Sequence, residues 1–228
     1  MKFTFGIITS GGSNYTLIES LKSILALSIP SFEIIVVGGA SITGPNLKVI
    51  PFDETCKPNW ITRKKNLITT FASFNNIVYS HDYFQFHPQW YEGFLEYGEA
   101  FSICTNQIEN LDGTRWHDWV LWPDSATEIG RIVSENRQCL IPYNLTHLSK
   151  SMYIPGSYWV AKKDIMSSFP LDETLSWGEA EDVEWSVRVR KSVSFSFNPF
   201  SKVRVLKLKP CAWKLADQDT VRRLLLAS

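Results

Sequence analysis

Apolar positions along the chain follow two periods. Phe3 to Thr9 (FTFGIIT) and Glu33 to Val37 (EIIVV) are nearly continuous apolar runs, each stopped by a glycine pair. Between them Leu17, Leu21, Ile24 and Leu25 recur at helical spacing, which predicts a helix from Asn14 to about Leu27, capped by Ser13 or Asn14 and closed by Pro30. Strand, helix, strand at this length is a parallel crossover unit, and strands apolar throughout imply a sheet covered on both faces. Further strands are expected at Leu47 to Phe52, Asn76 to Tyr79 and Ala100 to Asn106. A helix is expected from Trp60 to about Ser73, with Ile61, Leu67, Ile68 and Phe71 inward, and another within Phe84 to Tyr97, beginning near Pro88. From Asn110 to Lys150 the periodicity fades, leaving Trp116, Trp119 and Trp122 among Arg115, His117 and Asp118. Ser192 to Pro210 alternates as one or two strands, and Thr220 to Leu226 reads as a short terminal helix.

Composition narrows the class. A chain of 228 residues, 44% hydrophobic, can bury a substantial core. With no repeat or linker it reads as a single α/β domain. The formal net charge is zero, which argues against nucleic acid held by bulk charge. Cys56, Cys104, Cys139 and Cys211 lack metal-ligand spacing. No signal peptide and no membrane-length apolar run are apparent, so a cytoplasmic protein with reduced thiols is expected. Nine tryptophans exceed what a core alone requires and offer flat faces to a ligand or acceptor.

The candidate chemistry lies where strands end. Parallel sheets bind ligands beyond the carboxyl ends of their strands. There Thr9, Ser10, Gly11 and Gly38 are placed to line a nucleotide pocket, or the glycines simply make tight turns. Neither GxGxxG nor GxxxxGK[ST] is present. Arg63, Lys64 and Lys65 lie near a helix start, where the dipole disfavours cations; they suit a diphosphate or form a solvated face. Asp82, in Ser80-His81-Asp82, is an oxygen ligand for a divalent cation or an ordinary turn residue. Trp177-Gly178-Glu179-Ala180-Glu181-Asp182 gathers three carboxylates, of which at least one is expected to have a raised pKa suited to a general base. The structural alternative is a capping box, Ser176-x-x-Glu179, opening a helix with Val183 and Val187 inward and a Glu184–Arg188 pair outside.

The order of these features resembles the GT-A glycosyltransferases, particularly the family 2 group, over roughly Phe3 to Arg190. The strand ending in Thr9-Ser10-Gly11 resembles the uridine-binding strand. Trp60-Ile61-Thr62-Arg63-Lys64-Lys65-Asn66 resembles the basic helix start, and Ser80-His81-Asp82 stands in the place of DxD. Gly156-Ser157-Tyr158-Trp159-Val160 with the Trp177 to Asp182 run resembles the acceptor segment and ED motif of galactosyltransferase-type members. The resemblance implies an inverting transferase that takes a sugar from a UDP-sugar to a saccharide or other hydroxyl. It implies Mn2+ or Mg2+ on Asp82, with His147 as a further candidate ligand. Asp182 would be the general base and Glu181 would hold the acceptor or orient Asp182. Thr9, Ser10, Gly11, Gly38, Arg63, Lys65, Asn66, Ser80 and His81 would bind the donor. Gly156, Trp159, Trp177, Gly178 and Glu179 would line the sugar sites. Two departures stand out: Ser80 replaces the first DxD aspartate, and Gly38-Gly39 replaces the acidic pair expected after the second strand. They keep in play a nucleotide-sugar- or glycan-binding protein without turnover on the same fold. A nucleotidyltransferase is disfavoured because Ser10-Gly11-Gly12-Ser13 carries no Arg or Lys.

Overall fold

Four strands form as the apolar runs require: β1 (Phe3–Ile8), β2 (Phe32–Val37), β3 (Leu47–Ile50) and β4 (Asn76–His81). Every residue of β1 is buried. The computed structural model describes residues 1–11, 14–133 and 138–227. Gly12 and Ser13, the latter an expected helix cap, lie outside them. Strand β5 (Phe84–Phe86) and β6 (Ile103–Glu109) follow, then the short β7 (Val120–Leu121), β8 (Cys139–Leu140) and β9 (Met152–Tyr153), and finally β10 (Tyr158–Lys162) and β11 (Phe195–Val205). Eight strands make one sheet in the order β3-β2-β1-β4-β10-β6-β11-β5, which draws on both halves of the chain; β8-β7-β9 form a small second sheet. Strands β1 to β4 are mutually parallel, and β10 enters antiparallel between β4 and β6.

Helices cover both faces. Phe3, Phe5 and Ile7 of β1 pack with Leu17 and Ile24 of α1 (Asn14–Leu25) and with Trp90 and Phe94. On the other face Ile8, Ile77 and Tyr79 pack with Ile68 of α2 (Ile61–Phe71) and with Trp159 and Trp185. Alternate residues of one strand therefore feed two cores, as a doubly covered sheet demands. Helix α3 (Trp90–Tyr97) follows β5, and α4 (Glu128–Val133), α5 (Lys163–Ser168), α6 (Glu181–Val189) and α7 (Gln218–Leu226) come later along the chain, with a 3-10 helix at Thr146–Ser151. Among the described residues no helix is long and apolar enough to cross a membrane.

Several expectations need correction. The helix expected from near Pro88 forms as α3, but Phe84 to Phe86 ahead of it is strand, because buried phenylalanines alternate with Gln85 and pair with the end of β11. Leu25 and Phe71 are exposed, at 44% and 42%, rather than inward. The inward face of α2 is Ile61, Thr62, Lys64, Lys65, Ile68 and Thr69, so two lysines occupy a stripe read as apolar. Ser176 and Glu179 do form the reciprocal contact of a capping box, Ser176 N donating to Glu179 Oε2 at 2.6 Å. They close an isolated turn, however. Helix α6 starts at Glu181, after Ala180 in a left-handed conformation (φ 57°), and buries Glu181, Trp185, Ser186 and Val189 rather than Val183 and Val187. Glu184 and Arg188 pair as expected, at 2.6 Å.

Candidate active site

The first half of the site is built at the carboxyl ends of β1 and β4. Thr9 continues β1 by donating its N–H to Val37 O (3.0 Å). Its Oγ1 donates to Asp82 Oδ2 at 2.6 Å and accepts from Gly11 N at 3.2 Å. Gly38 permits this approach: a Cβ there would meet Thr9 O at 2.1 Å. Lys64, 3% exposed, donates Nζ to Thr9 O at 2.7 Å and pairs with Glu54. Thr9, Ser10, Glu54, Lys64, His81, Asp82, Tyr83, Trp177 and Lys207 are among the walls of a cavity of about 260 Å³.

The second half lies at the start of α6. Asp182 Oδ2 accepts from Tyr153 Oη (2.5 Å) and Gly156 N (2.8 Å), and Oδ1 accepts from Val183 N (2.9 Å). Gly156 must be glycine here, since a Cβ would lie 2.9 Å from both Cβ and Oδ2 of Asp182. Trp116, His117, Tyr153, Gly156, Glu181, Asp182 and Lys209 help to line a cavity of about 150 Å³. It shares His81, Tyr83 and Trp177 with the first cavity. Asp82 and Asp182, a hundred positions apart, thus border two adjoining cavities with three walls in common, together called the cleft below.

Burial sets the electrostatics. Glu181 is 5% exposed; burial and the neighbouring Asp182 raise its pKa, partly offset by Lys65. Lys65, 1% exposed, is lowered to about 8 by burial, with Glu181 and Asp182 opposing. His81 is held well below its usual value by burial and by Lys65, Lys209, Lys64 and Lys207. His117 falls to about 4 through burial and Lys209; it stacks on Trp116 and accepts from Ala212 N at 2.9 Å.

Thr9, Ser10, His81, Asp82, Gly156, Trp177, Glu181 and Asp182 all reach the cleft. Other expected residues do not line it. Arg63 pairs with Glu173 (2.8 Å), and Asn66 bonds Leu171 and Glu173, so both fasten the loop leading to Trp177. Lys65 lies beneath the floor, donating to Gly156 O at 2.6 Å with its ammonium 4.9 Å from the Trp159 ring centre. Trp159 is core, stacked on Tyr79 at 4.8 Å, because β10 pairs the two residues across strands. Ser80 is buried within β4. Gly11 and Gly38 support Thr9 from behind, and Gly178 and Glu179 belong to the turn before α6. His147 Nε2 faces Leu224 O of α7 at 3.1 Å, away from the cleft. Of the Asn110 to Lys150 tryptophans, Trp116 lines the cleft, Trp119 is core, and Trp122 packs on Tyr153. Lys64, from the basic cluster expected to suit a diphosphate, reaches the cleft, and so do Tyr83, His117, Tyr153, Lys207 and Lys209, which the sequence did not single out as ligands.

The donor set does not fit a protein-held divalent cation at Asp82. Among the described residues no three His, Cys, Asp or Glu side chains converge as a metal-binding group. Asp82 Oδ2 is already engaged by Thr9, Ser80 supplies no carboxylate, and lysines surround His81. Cations so placed repel a metal ion rather than hold it.

No protein-family model and no curated protein matches the chain. Solved structures do. GalNAc-T7 with UDP, GalNAc and Mn2+ superposes with a TM-score of 0.65 at 12% identity, over 90% of this chain and 43% of that one. S. aureus TarS gives 0.56 at 13% identity, over 91% of this chain and 37% of its own. TarS 1-349 in complex with UDP-GlcNAc gives 0.56 at 13%, over 92% and 60%. The chain therefore spans less than two thirds of each of these relatives. At such identities the likeness concerns the fold: the chain has the mixed α/β GT-A fold of the glycosyltransferases.

Proposed function

We propose that the chain is an inverting glycosyltransferase that moves a sugar from a UDP-sugar to a hydroxyl of a saccharide or other acceptor. The adjacency of the two cavities carries this reading: the corner of Thr9, Lys64 and Asp82 lies beside that of Glu181 and Asp182, with His81, Tyr83 and Trp177 common to both. The donor diphosphate occupies the first cavity and the reacting hydroxyl the second. The acceptor oxygen attacks the anomeric carbon opposite the diphosphate, the bond from that carbon to the phosphate oxygen breaks, and the hydroxyl proton passes to Asp182. Three donors fix Asp182 in one orientation, as a general base requires. Glu181, beside it, holds the acceptor or orients Asp182. Trp177 is 65% exposed and presents an open face on which a sugar ring can stack. UDP and UDP-GlcNAc in the GalNAc-T7 and TarS structures support the donor class. Manganese at Asp82 is not part of the reading, because the donor set there does not suit it.

The test is a thermal-shift panel of nucleotide sugars, followed by measurement of UDP release with candidate acceptors. UDP-sugars are expected to raise the melting temperature, since a ligand that binds only the folded state stabilises it. No shift with any UDP-sugar would remove the donor assignment. Binding without UDP release across the acceptor panel would favour a nucleotide-sugar-binding protein, the reading to which Ser80 in place of a carboxylate points.

A further inference from the structure

Beyond β11 the chain runs back along Tyr83. Leu206 N donates to Tyr83 O at 2.8 Å. Lys209 Nζ donates to Tyr83 Oη at 2.7 Å and sits 4.0 Å from the ring centre, while Lys207 Nζ is 5.0 Å from it. Tyr83 is shared by both cavities; Lys207 lines the one containing Asp82, and Lys209 the one containing Asp182. The two ammonium groups therefore straddle the seam between donor and acceptor corners. Lys202 and Arg204, earlier on the same strand, pair with Glu109 at 3.1 and 2.5 Å. Among the described residues, Lys207 and Lys209 form no such ion pair. Lys64, the other cation of the cleft, is committed to Thr9 and Glu54.

We infer that Lys207 and Lys209 are the counter-ions of the departing diphosphate, so that donor binding and transfer proceed without a divalent cation. This rests on the UDP-sugar reading above. When the bond from the anomeric carbon to the phosphate oxygen breaks, both bonding electrons leave on that oxygen and UDP gains one negative charge. Preorganised ammonium groups beside it stabilise that charge in a partly dry cleft without reorganising. Lys209, held by the Tyr83 hydroxyl, and Lys207 beside it supply what a metal would otherwise supply, and their own charge disfavours the metal.

The experiment is calorimetry on the full chain, stripped with chelator, titrated with UDP and with uridine, each with and without Mn2+. UDP is expected to bind in chelator within about twofold of its affinity in manganese. Lys207→Gln and Lys209→Gln should each weaken UDP roughly tenfold or more, the usual loss for a hydrogen bond to a charged group, while uridine binds as before. Lys209→Arg should restore part of the UDP affinity. Binding of UDP only in the presence of metal overturns the lysine assignment and leaves the UDP-sugar reading standing. Failure of UDP under both conditions overturns both. Equal losses for UDP and uridine would assign the lysines to holding Tyr83 and overturn their role as counter-ions. Lys207 is exposed and ends no packed core, so its variant tests the inference even if Lys209→Gln does not fold.

Discussion

Asp182→Asn removes the proposed proton acceptor without changing the volume of the side chain. The wild-type carboxylate accepts three hydrogen bonds, from Tyr153 Oη and Gly156 N on Oδ2 and from Val183 N on Oδ1. An amide has one acceptor oxygen. Placed where Oδ2 lies, it keeps Tyr153 and Gly156 but turns its NH2 toward the Val183 N–H. One donor loses its partner, at a cost of about 1–3 kcal/mol. For a domain of this size each kcal/mol lowers the melting temperature by about 2–4 °C, so a drop of roughly 2–12 °C is expected, with the fold retained. The chemical effect is separate. General-base catalysis contributes about 10²–10⁴ in rate, and transfer should fall by at least about a hundredfold. UDP affinity should hold, because Asp182 lines the cavity opposite the one containing Asp82. The assay combines UDP-release kinetics, UDP calorimetry and a thermal melt. A turnover within about threefold of wild type would show that another group takes the proton, and Glu181→Gln would then be the variant to compare.

Trp159→Ala should lose about 3–5 kcal/mol in urea unfolding, because it empties a core site, whereas Trp177→Ala should stay within about 0.5 kcal/mol while raising KM for a sugar substrate. Equal stability losses would undo the division between core and cleft tryptophans. Gly156→Ala should cut transfer while sparing UDP binding, since the new methyl would lie 2.9 Å from Asp182 Oδ2 and must displace it; full activity would show that the carboxylate position is not critical. On the acid side, burial keeps His81 well below its usual value and His117 near 4, so between about 4 and 6.5 the unfolded chain binds protons that the folded chain refuses. Stability should be fully present above about pH 6.5 and be lost progressively as pH falls toward 4; equal urea midpoints at pH 7.5 and 5 would contradict this.

How much of this was legible depends on which residues set the pattern. Strands β1, β2 and β4 were visible because burial on both faces leaves only apolar choices, and periodicity found them to within two residues. The cluster of Glu181 and Asp182 was visible because three acids in four positions exceed what one helix cap uses. Trp159 misled because its type suits a sugar face and a core alike; only the cross-strand pairing with Tyr79 decides. His147 misled because order along the chain says nothing about which face a helical turn presents.

The inward placing of the cations carried a signal of its own. Ile61, Lys64, Lys65 and Ile68 follow the i, i+3, i+4, i+7 spacing of an inward stripe, and all four are buried. Counting apolar residues alone substituted Leu67 and Phe71, and Phe71 is exposed. The end of β11 repeats the lesson at period two. Ser201, Val203 and Val205 are buried, and the same parity continues into Lys207 and Lys209, which turn to the cleft. A lysine in the buried phase of a helix or strand must find a carbonyl, a carboxylate or an anion, because an unpaired buried charge is too costly to keep. Lys64 and Lys65 find carbonyls of Thr9 and Gly156. Lys207 is exposed and Lys209 half-buried, so neither carries the full cost of a buried charge; both lie against the neutral Tyr83 phenol, and burial lowers Lys209 only to about 8. Reading the phase of the cations rather than their number is what separates Lys64 and Lys65, held inside, from a solvated face.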